Sequence, residues 1–171
     1  VRKKYSSNEF IRTDMNIILN ENYLNELMQK NDELADLKHI TWYFSGHIQS
    51  NKIKNIVKYA SGVLSLSGNT HADKFEKELT LIGKTKFPVF ISINLAKEET
   101  KSGISFAELD DFRHHIKHQC PSIELMGLMA IPPKDCDDRV SLYKELREKC
   151  DSVGQAKLSL GMSGDLEDAL S

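Results

Sequence analysis

The chain reads as an α/β protein, a parallel sheet with helices packed outside it. Three observations point there. Short apolar, β-branched or aromatic runs recur between segments whose apolar residues fall at helical spacing. Most of these runs end in polar or glycine-containing loops. The strongest run, Phe87-Pro-Val-Phe-Ile-Ser-Ile-Asn-Leu95, is apolar almost without interruption, as in parallel strands buried on both faces. Periodicity does not separate a closed barrel from an open sheet, but both place ligands in the polar loops at strand C-termini.

Each element follows from its own pattern. Tyr23, Leu24, Leu27 and Met28 share helical spacing and predict a helix over about 22–30. Residues 40–44 predict a short strand. A helix over 51–59 puts Ile53, Ile56, Val57 and Ala60 on one face, with Lys52, Lys54 and Lys58 on or beside the other. A strand over 63–66 and a helix over 71–82, carrying Phe75, Leu79 and Ile82, form the next unit. The strong run at 87–95 gives way to the polar stretch 97–103. Ser105 then reads as an N-cap three residues before Glu108, opening a helix with Phe106, Leu109, Phe112 and Ile116 on one face. Residues 125–131 predict a strand stopped by Pro132-Pro133, residues 140–150 a helix, 156–160 a last strand, and 166–170 the start of a helix. No repeat, low-complexity tract or linker divides the chain, so a single domain over 1–171 is expected.

Composition excludes several functional classes. With 171 residues, 40% hydrophobic and 28% charged, the chain can bury one sizeable core. A net charge of −2 gives no global attraction to nucleic acid or anionic lipid, so neither is an expected partner. No apolar run approaches the ~18 residues of a membrane span. Val1-Arg-Lys-Lys4 is not followed by a signal-peptide apolar region, and a cytoplasmic location is expected. Cys120, Cys136 and Cys150 form an odd set without C-x-x-C spacing and read as reduced thiols.

Five groups of residues bear on chemistry. Gly46-His47 turns the backbone tightly after the strand at 40–44, and His47, Gln49, Ser50 and Asn51 then offer donors at a helix start. Such a terminus favours an anion such as phosphate, or the same side chains merely cap the helix. Leu158-Ser-Leu-Gly-Met-Ser-Gly-Asp165 is a second strand-to-glycine turn, where Ser159 or Ser163 can donate to phosphate oxygens. Val1-Arg-Lys-Lys4 fits the tail of a strand; a lysine desolvated inside a barrel attacks an aldehyde to form a Schiff base, although a solvated basic terminus reads the same. His114, His115 and His118 with Cys120 resemble a metal cluster. Yet His114 and His118 lie one turn apart while Phe112 and Ile116 face the core, so they read as a solvated helix face and no metal is expected. Glu98, Glu99 and Lys101 follow the strongest strand, where a charge clamp would sit.

Five motifs, in order, resemble the YggS/PROSC family of pyridoxal phosphate homeostasis proteins. Trp42-Tyr-Phe-Ser-Gly-His-Ile-Gln-Ser-Asn-Lys52 resembles W-H-F-I-G-H-L-Q-x-N-K, and Asn20-Glu-Asn-Tyr23 with Glu26-Leu27 resembles G-E-N-Y-x-x-E-L. Ile93-Asn94 with Glu98, Lys101 and Gly103 resembles I-N-x-x-x-E-x-x-K-x-G. Gly127-Leu-Met-Ala-Ile-Pro132 resembles G-L-M-A-I-P, and Leu158 to Asp165 resembles L-S-M-G-M-S-x-D. The resemblance implies a (β/α)8 TIM barrel like the N-terminal domain of alanine racemase, lacking in the given chain the start of strand 1 and the last strand. It implies pyridoxal 5'-phosphate at the strand C-termini, held as an aldimine by Lys3. Asn22 and His47 would approach the cofactor, Ser159, Gly161, Met162 and Ser163 would lie near its phosphate, and Lys101 would line the entrance. Departures from the family pattern are Arg2 where a serine is usual, Asn20 where a glycine is usual, and an end at Ser171 before the family's V-R-I-G strand.

The function this implies is intracellular pyridoxal phosphate homeostasis by a monomeric carrier without catalytic turnover, passing cofactor to pyridoxal phosphate-dependent apoenzymes. The alternative is a racemase-like enzyme on the same barrel. That chemistry needs a second acid or base across the ring, which alanine racemase takes from a further domain and its dimer partner, and no such motif is visible. A nucleic-acid-binding role for Lys52, Lys54 and Lys58 is disfavoured by the net charge.

Overall fold

The computed structural model describes residues 16–95, 103–133, 136, 138–154, 157–161 and 166–170. Strands and α-helices alternate through them: β1 (Ile17–Glu21), α1 (Leu24–Glu33), β2 (Ile40–Phe44), α2 (Ile53–Tyr59), β3 (Gly62–Leu66), α3 (Asn69–Leu81), β4 (Phe87–Ile93), α4 (Leu109–Gln119), β5 (Ile123–Ala130), α5 (Arg139–Ser152), β6 (Lys157–Leu160) and α6 (Leu166–Leu170). All neighbouring strands are parallel, and their order in the sheet is β1-β2-β3-β4-β5-β6. Each strand lies beside its predecessor and the order never reverses. That is how a barrel wall is wound; a doubly wound open sheet has a switch point instead. The described residues thus form a six-stranded parallel arc.

Between the arc and its helices lies the core. Leu27, Ile56, Phe75, Leu79 and Leu146 from the helices are fully buried, as are Val63, Leu66, Phe87, Ile91 and Leu128 from the strands. Phe75 and Phe87 stack with ring centroids 6.0 Å apart. Burying side chains of this size contributes about 1.5–3 kcal/mol each. Lys84 ties the layer together: its amine donates to the Val57 and Ala60 carbonyls at the end of α2, at 3.2 and 2.8 Å. Burial pushes its pKa down.

Several boundaries differ from the sequence reading. Residues 17–21 form a strand that pairs residue for residue with β2, from Ile17 against Ile40 to Glu21 against Phe44. Its side chains alternate half-buried and exposed, a period that the consecutive Ile17-Ile-Leu19 hides. Tyr23, counted among the helix residues, is the exposed N-cap of α1. Ile82 is exposed because α3 ends at Leu81 and the chain turns through Gly83 at φ 67°. Ser105 does engage Glu108, whose carboxylate accepts from its N–H (2.8 Å) and hydroxyl (2.6 Å). However, α4 starts only at Leu109, with Glu108 as its N-cap. Ile131, placed in a strand by pattern, lies beyond β5 and is exposed. Among the described residues no helix is long and apolar enough to cross a membrane.

Candidate functional site

β2 ends at Phe44, and the next two residues join it to the end of β1. The Ser45 N–H donates to the Glu21 carbonyl (2.9 Å), and the Asn20 amide donates to the Ser45 hydroxyl (2.8 Å). Gly46 then passes so close to the neighbouring loop that a Cβ there would stand 1.9 Å from the Asn22 carbonyl oxygen and 2.7 Å from the Phe44 ring. Only glycine fits, and the two loops that follow β1 and β2 meet at this point. β3 contributes from the other side: the buried Ser65 hydroxyl donates to the Gly46 carbonyl at 2.7 Å.

The end of β4 is fixed by a short return. Ile104 comes back beside Ile93, with Asn94 N–H donating to the Ile104 carbonyl and Ile104 N–H donating to the Ser92 carbonyl, both at 2.9 Å. Gly103, at φ 131°, sits where a Cβ would be 2.7 Å from the Asn94 nitrogen.

These strand ends enclose a cavity of about 290 Å³. Ser45, His47, Ser65, Ser67, Ser92 and Asn94 give it a polar rim, and Ile93, Met129, Ile131 and Pro132 an apolar wall. Ser92 is in register with Met129, and Met129 with Ser159. Residues paired across parallel strands project from the same face, so Ser159 continues the row toward the β6 edge. Gly161 follows, its N–H donating to the Ala130 carbonyl at 3.2 Å. The cavity can therefore hold an apolar ring against one wall while hydroxyls and amides address its polar substituents.

One titratable group links this rim to the helices. His71, in the first turn of α3, has its pKa pushed down chiefly by burial. A hydrogen bond to the Ser67 backbone acts the other way, and the nearby His47 and Lys74 lower it further.

Of the residues singled out by sequence, His47 lines the cavity; Ser159 pairs with the lining residue Met129 and Gly161 bonds Ala130, and neither lines the cavity itself. Asn22 brings its backbone to Gly46 while the residue itself is exposed. Gln49, Ser50 and Asn51 are exposed and outside the cavity, because a 3₁₀ turn over Ser50–Lys52 precedes the seven-residue α2. Lys3, Lys101, Met162 and Ser163, with Glu98 and Glu99, lie outside the described residues. Sequence reasoning missed Ser65, Ser67, Ser92 and His71. The available signal was a lone serine inside an apolar strand, as in Val63-Leu-Ser-Leu66 and Phe90-Ile-Ser-Ile93, since a buried hydroxyl needs a partner or a purpose.

No family model matches the chain. It is 32% identical over 167 residues to the mouse pyridoxal phosphate homeostasis protein, covering 88% of this chain and 61% of that one. It is 30% identical over 161 residues to the protein of the same name from Aquifex aeolicus, covering 90% of this chain and 69% of that one. The chain thus spans about three fifths of the mouse relative's length. Its fold resembles PipY of Synechococcus elongatus, solved with PLP bound, with a TM-score of 0.80 at 24% identity over 88% of this chain and 73% of that one. It also resembles alanine racemase of Clostridium difficile, with a TM-score of 0.65 at 15% identity over 86% of this chain and 39% of that one.

Proposed function

The chain belongs to the pyridoxal phosphate homeostasis protein family, and from that premise we propose that it binds pyridoxal 5'-phosphate and acts as a carrier in intracellular pyridoxal phosphate homeostasis. The observation that carries this reading is the cavity at the C-terminal ends of β2 to β5, lined by serine, histidine and asparagine as well as by Ile93, Met129, Ile131 and Pro132. The residues present fit such a group. Serine hydroxyls and the Asn94 amide suit a phosphate and a ring hydroxyl, while Met129 and Ile131 suit the face of an aromatic ring.

When bound, the cofactor supplies an aldehyde that a lysine amine can capture, and Lys3 is the amine we assign to it. His47 shapes the pocket wall beside Gly46. Ser159 and Gly161, together with Met162 and Ser163, are assigned to the phosphate, Asn22 to the cofactor's approach and Lys101 to the entrance. The wider reading takes residues 1–171 as part of one (β/α)8 barrel domain, monomeric and cytoplasmic. It passes cofactor to dependent apoenzymes and performs no turnover of its own.

An absorbance scan of the chain with added pyridoxal phosphate tests the assignment. The expected result is a bound-cofactor band that disappears in Lys3→Ala. No band, or a band unchanged in that variant, overturns it. Incubating the loaded protein with L-alanine checks the carrier role, and sustained formation of D-alanine would overturn that part of the reading.

A further inference from the structure

The histidine and cysteine side chains of α4 divide in the fold. His114 and His118 lie against each other at the exposed surface, with ring centroids 4.2 Å apart and the planes tilted by 41°. His115 turns instead toward α3, where its Nε2 lies 2.6 Å from Asp73 Oδ1. Cys120, which closes α4, donates to the same oxygen at 3.9 Å. The imidazole nitrogen, the carboxylate oxygen and the sulfur all lie within 4.8 Å of one another. None of the three residues lines the strand-end cavity.

We propose that Asp73, His115 and Cys120 form a three-ligand site for a divalent transition cation of the zinc class, pinning α3 to α4. Imidazole, carboxylate and thiolate are the donors such a cation takes, in tetrahedral geometry. Bond lengths of about 2.0–2.3 Å set tetrahedral donors roughly 3.3–3.8 Å apart. Asp73 stands 2.6 Å from the His115 nitrogen and 3.9 Å from the Cys120 sulfur, and the third pair lies within 4.8 Å, so side-chain rotations bring the three donors to that spacing.

The charges of the donors suit a dication. A carboxylate and a thiolate supply two negative charges to a dication, and the imidazole binds neutral. Burial first, then Asp73 and Glu76, push the Cys120 thiol up to about 12. A bound cation reverses that preference outright. Binding therefore breaks the Cys120 S–H bond, forms a metal–sulfur bond and releases the proton to solvent, with no change of oxidation state. Cys120 is 1% exposed and forms the inner end of the site. Asp73, 55% exposed at its side chain, leaves the fourth position open to water and gives the ion a way in. Glu76, one turn further along α3, is already held by the Ser122 N–H (2.9 Å) and hydroxyl (2.7 Å), which fixes the acidic wall beside the sulfur.

Titration of the metal-stripped chain with cobalt(II) reads the site directly. The expected result is a near-ultraviolet sulfur-to-cobalt charge-transfer band that saturates at one equivalent. Cys120→Ser should abolish the band, and Cys150→Ser should leave it. His115→Gln and Asp73→Asn should each weaken cobalt binding by about tenfold or more. Both alter partly exposed side chains, so they decide the matter even where Cys120→Ser fails to fold. Zinc should raise the thermal midpoint of the parent chain and not that of His115→Gln. Absence of the band, its survival in Cys120→Ser, or unchanged affinity in both His115→Gln and Asp73→Asn overturns the proposal. So does an equal zinc effect on parent and variant. Pyridoxal phosphate takes no part in any of these measurements, so they stand apart from the carrier reading.

Discussion

Between the sheet and its helices the chain places Leu27, Ile56, Phe75, Leu79 and Phe87, all fully buried. At the C-terminal ends of β2 to β4 it places Ser45, Gly46, Ser65, Ser92 and Asn94. The same strands serve both regions by alternation. Ser65 precedes the fully buried Leu66, and Ser92 follows Ile91, which is 0% exposed. A step of one residue moves a side chain from the helix-facing layer to the opposite face. The two regions differ in what holds them. The first needs only volume and shape, because apolar contact is undirected. The second buries hydroxyls, so each must find a partner, as Ser65 does on the Gly46 carbonyl.

The comparison breaks first if the apolar layer is not the main store of stability. Phe75→Ala removes a fully buried ring stacked on Phe87 and should cost about 3–5 kcal/mol in denaturant unfolding. Phe75 lines no part of the cavity, so pyridoxal phosphate bound per folded molecule should stay the same. A loss of binding without loss of stability would reverse the roles assigned to the two regions. Gly46→Ala tests the other side. Its Cβ would stand 1.9 Å from a main-chain oxygen, which cannot give way as a side chain can. The expected cost is about 1–3 kcal/mol, together with weakened cofactor binding, because the β1 and β2 loops must part. Ser65→Ala leaves the Gly46 carbonyl without its hydroxyl donor and should cost about 1–2 kcal/mol by the same unfolding measurement.

Much of the first region was legible in the sequence and rather little of the second. Apolar spacing places Ile53, Ile56, Phe75, Leu79, Phe112 and Ile116 on buried faces, and all six are buried. It fails at β1, whose half-buried side chains carry a weak period and whose partner, β2, is distant in sequence. At the strand ends, Gly46-His47 stood out because it interrupts an apolar run. Ser65 and Ser92 did not, since a single serine barely lowers the hydrophobicity of a strand. The Asp73, His115 and Cys120 group was hidden for a different reason. Its acidic member lies 42 residues before the histidine, and only the packing of α3 against α4 joins them.

His71 belongs to both regions and gives the smallest and sharpest test. It sits in the first turn of α3, yet its ring bonds the Ser67 backbone at the cavity rim and lies near His47. Burial, with His47 and Lys74, holds its folded pKa below the unfolded value of 6.5. The folded state therefore binds fewer protons than the unfolded state as pH falls through that window. The stability linked to His71 is fully present above 6.5 and is lost as pH drops through the depressed folded value. Comparing unfolding midpoints at about pH 7.5 and pH 5, the parent chain should lose more than His71→Gln. An anionic ligand in the cavity favours the charged imidazole and raises its pKa, so pyridoxal phosphate should narrow that difference. If the ligand leaves the difference unchanged, the rim and the helix layer titrate independently, and His71 belongs to the helices alone.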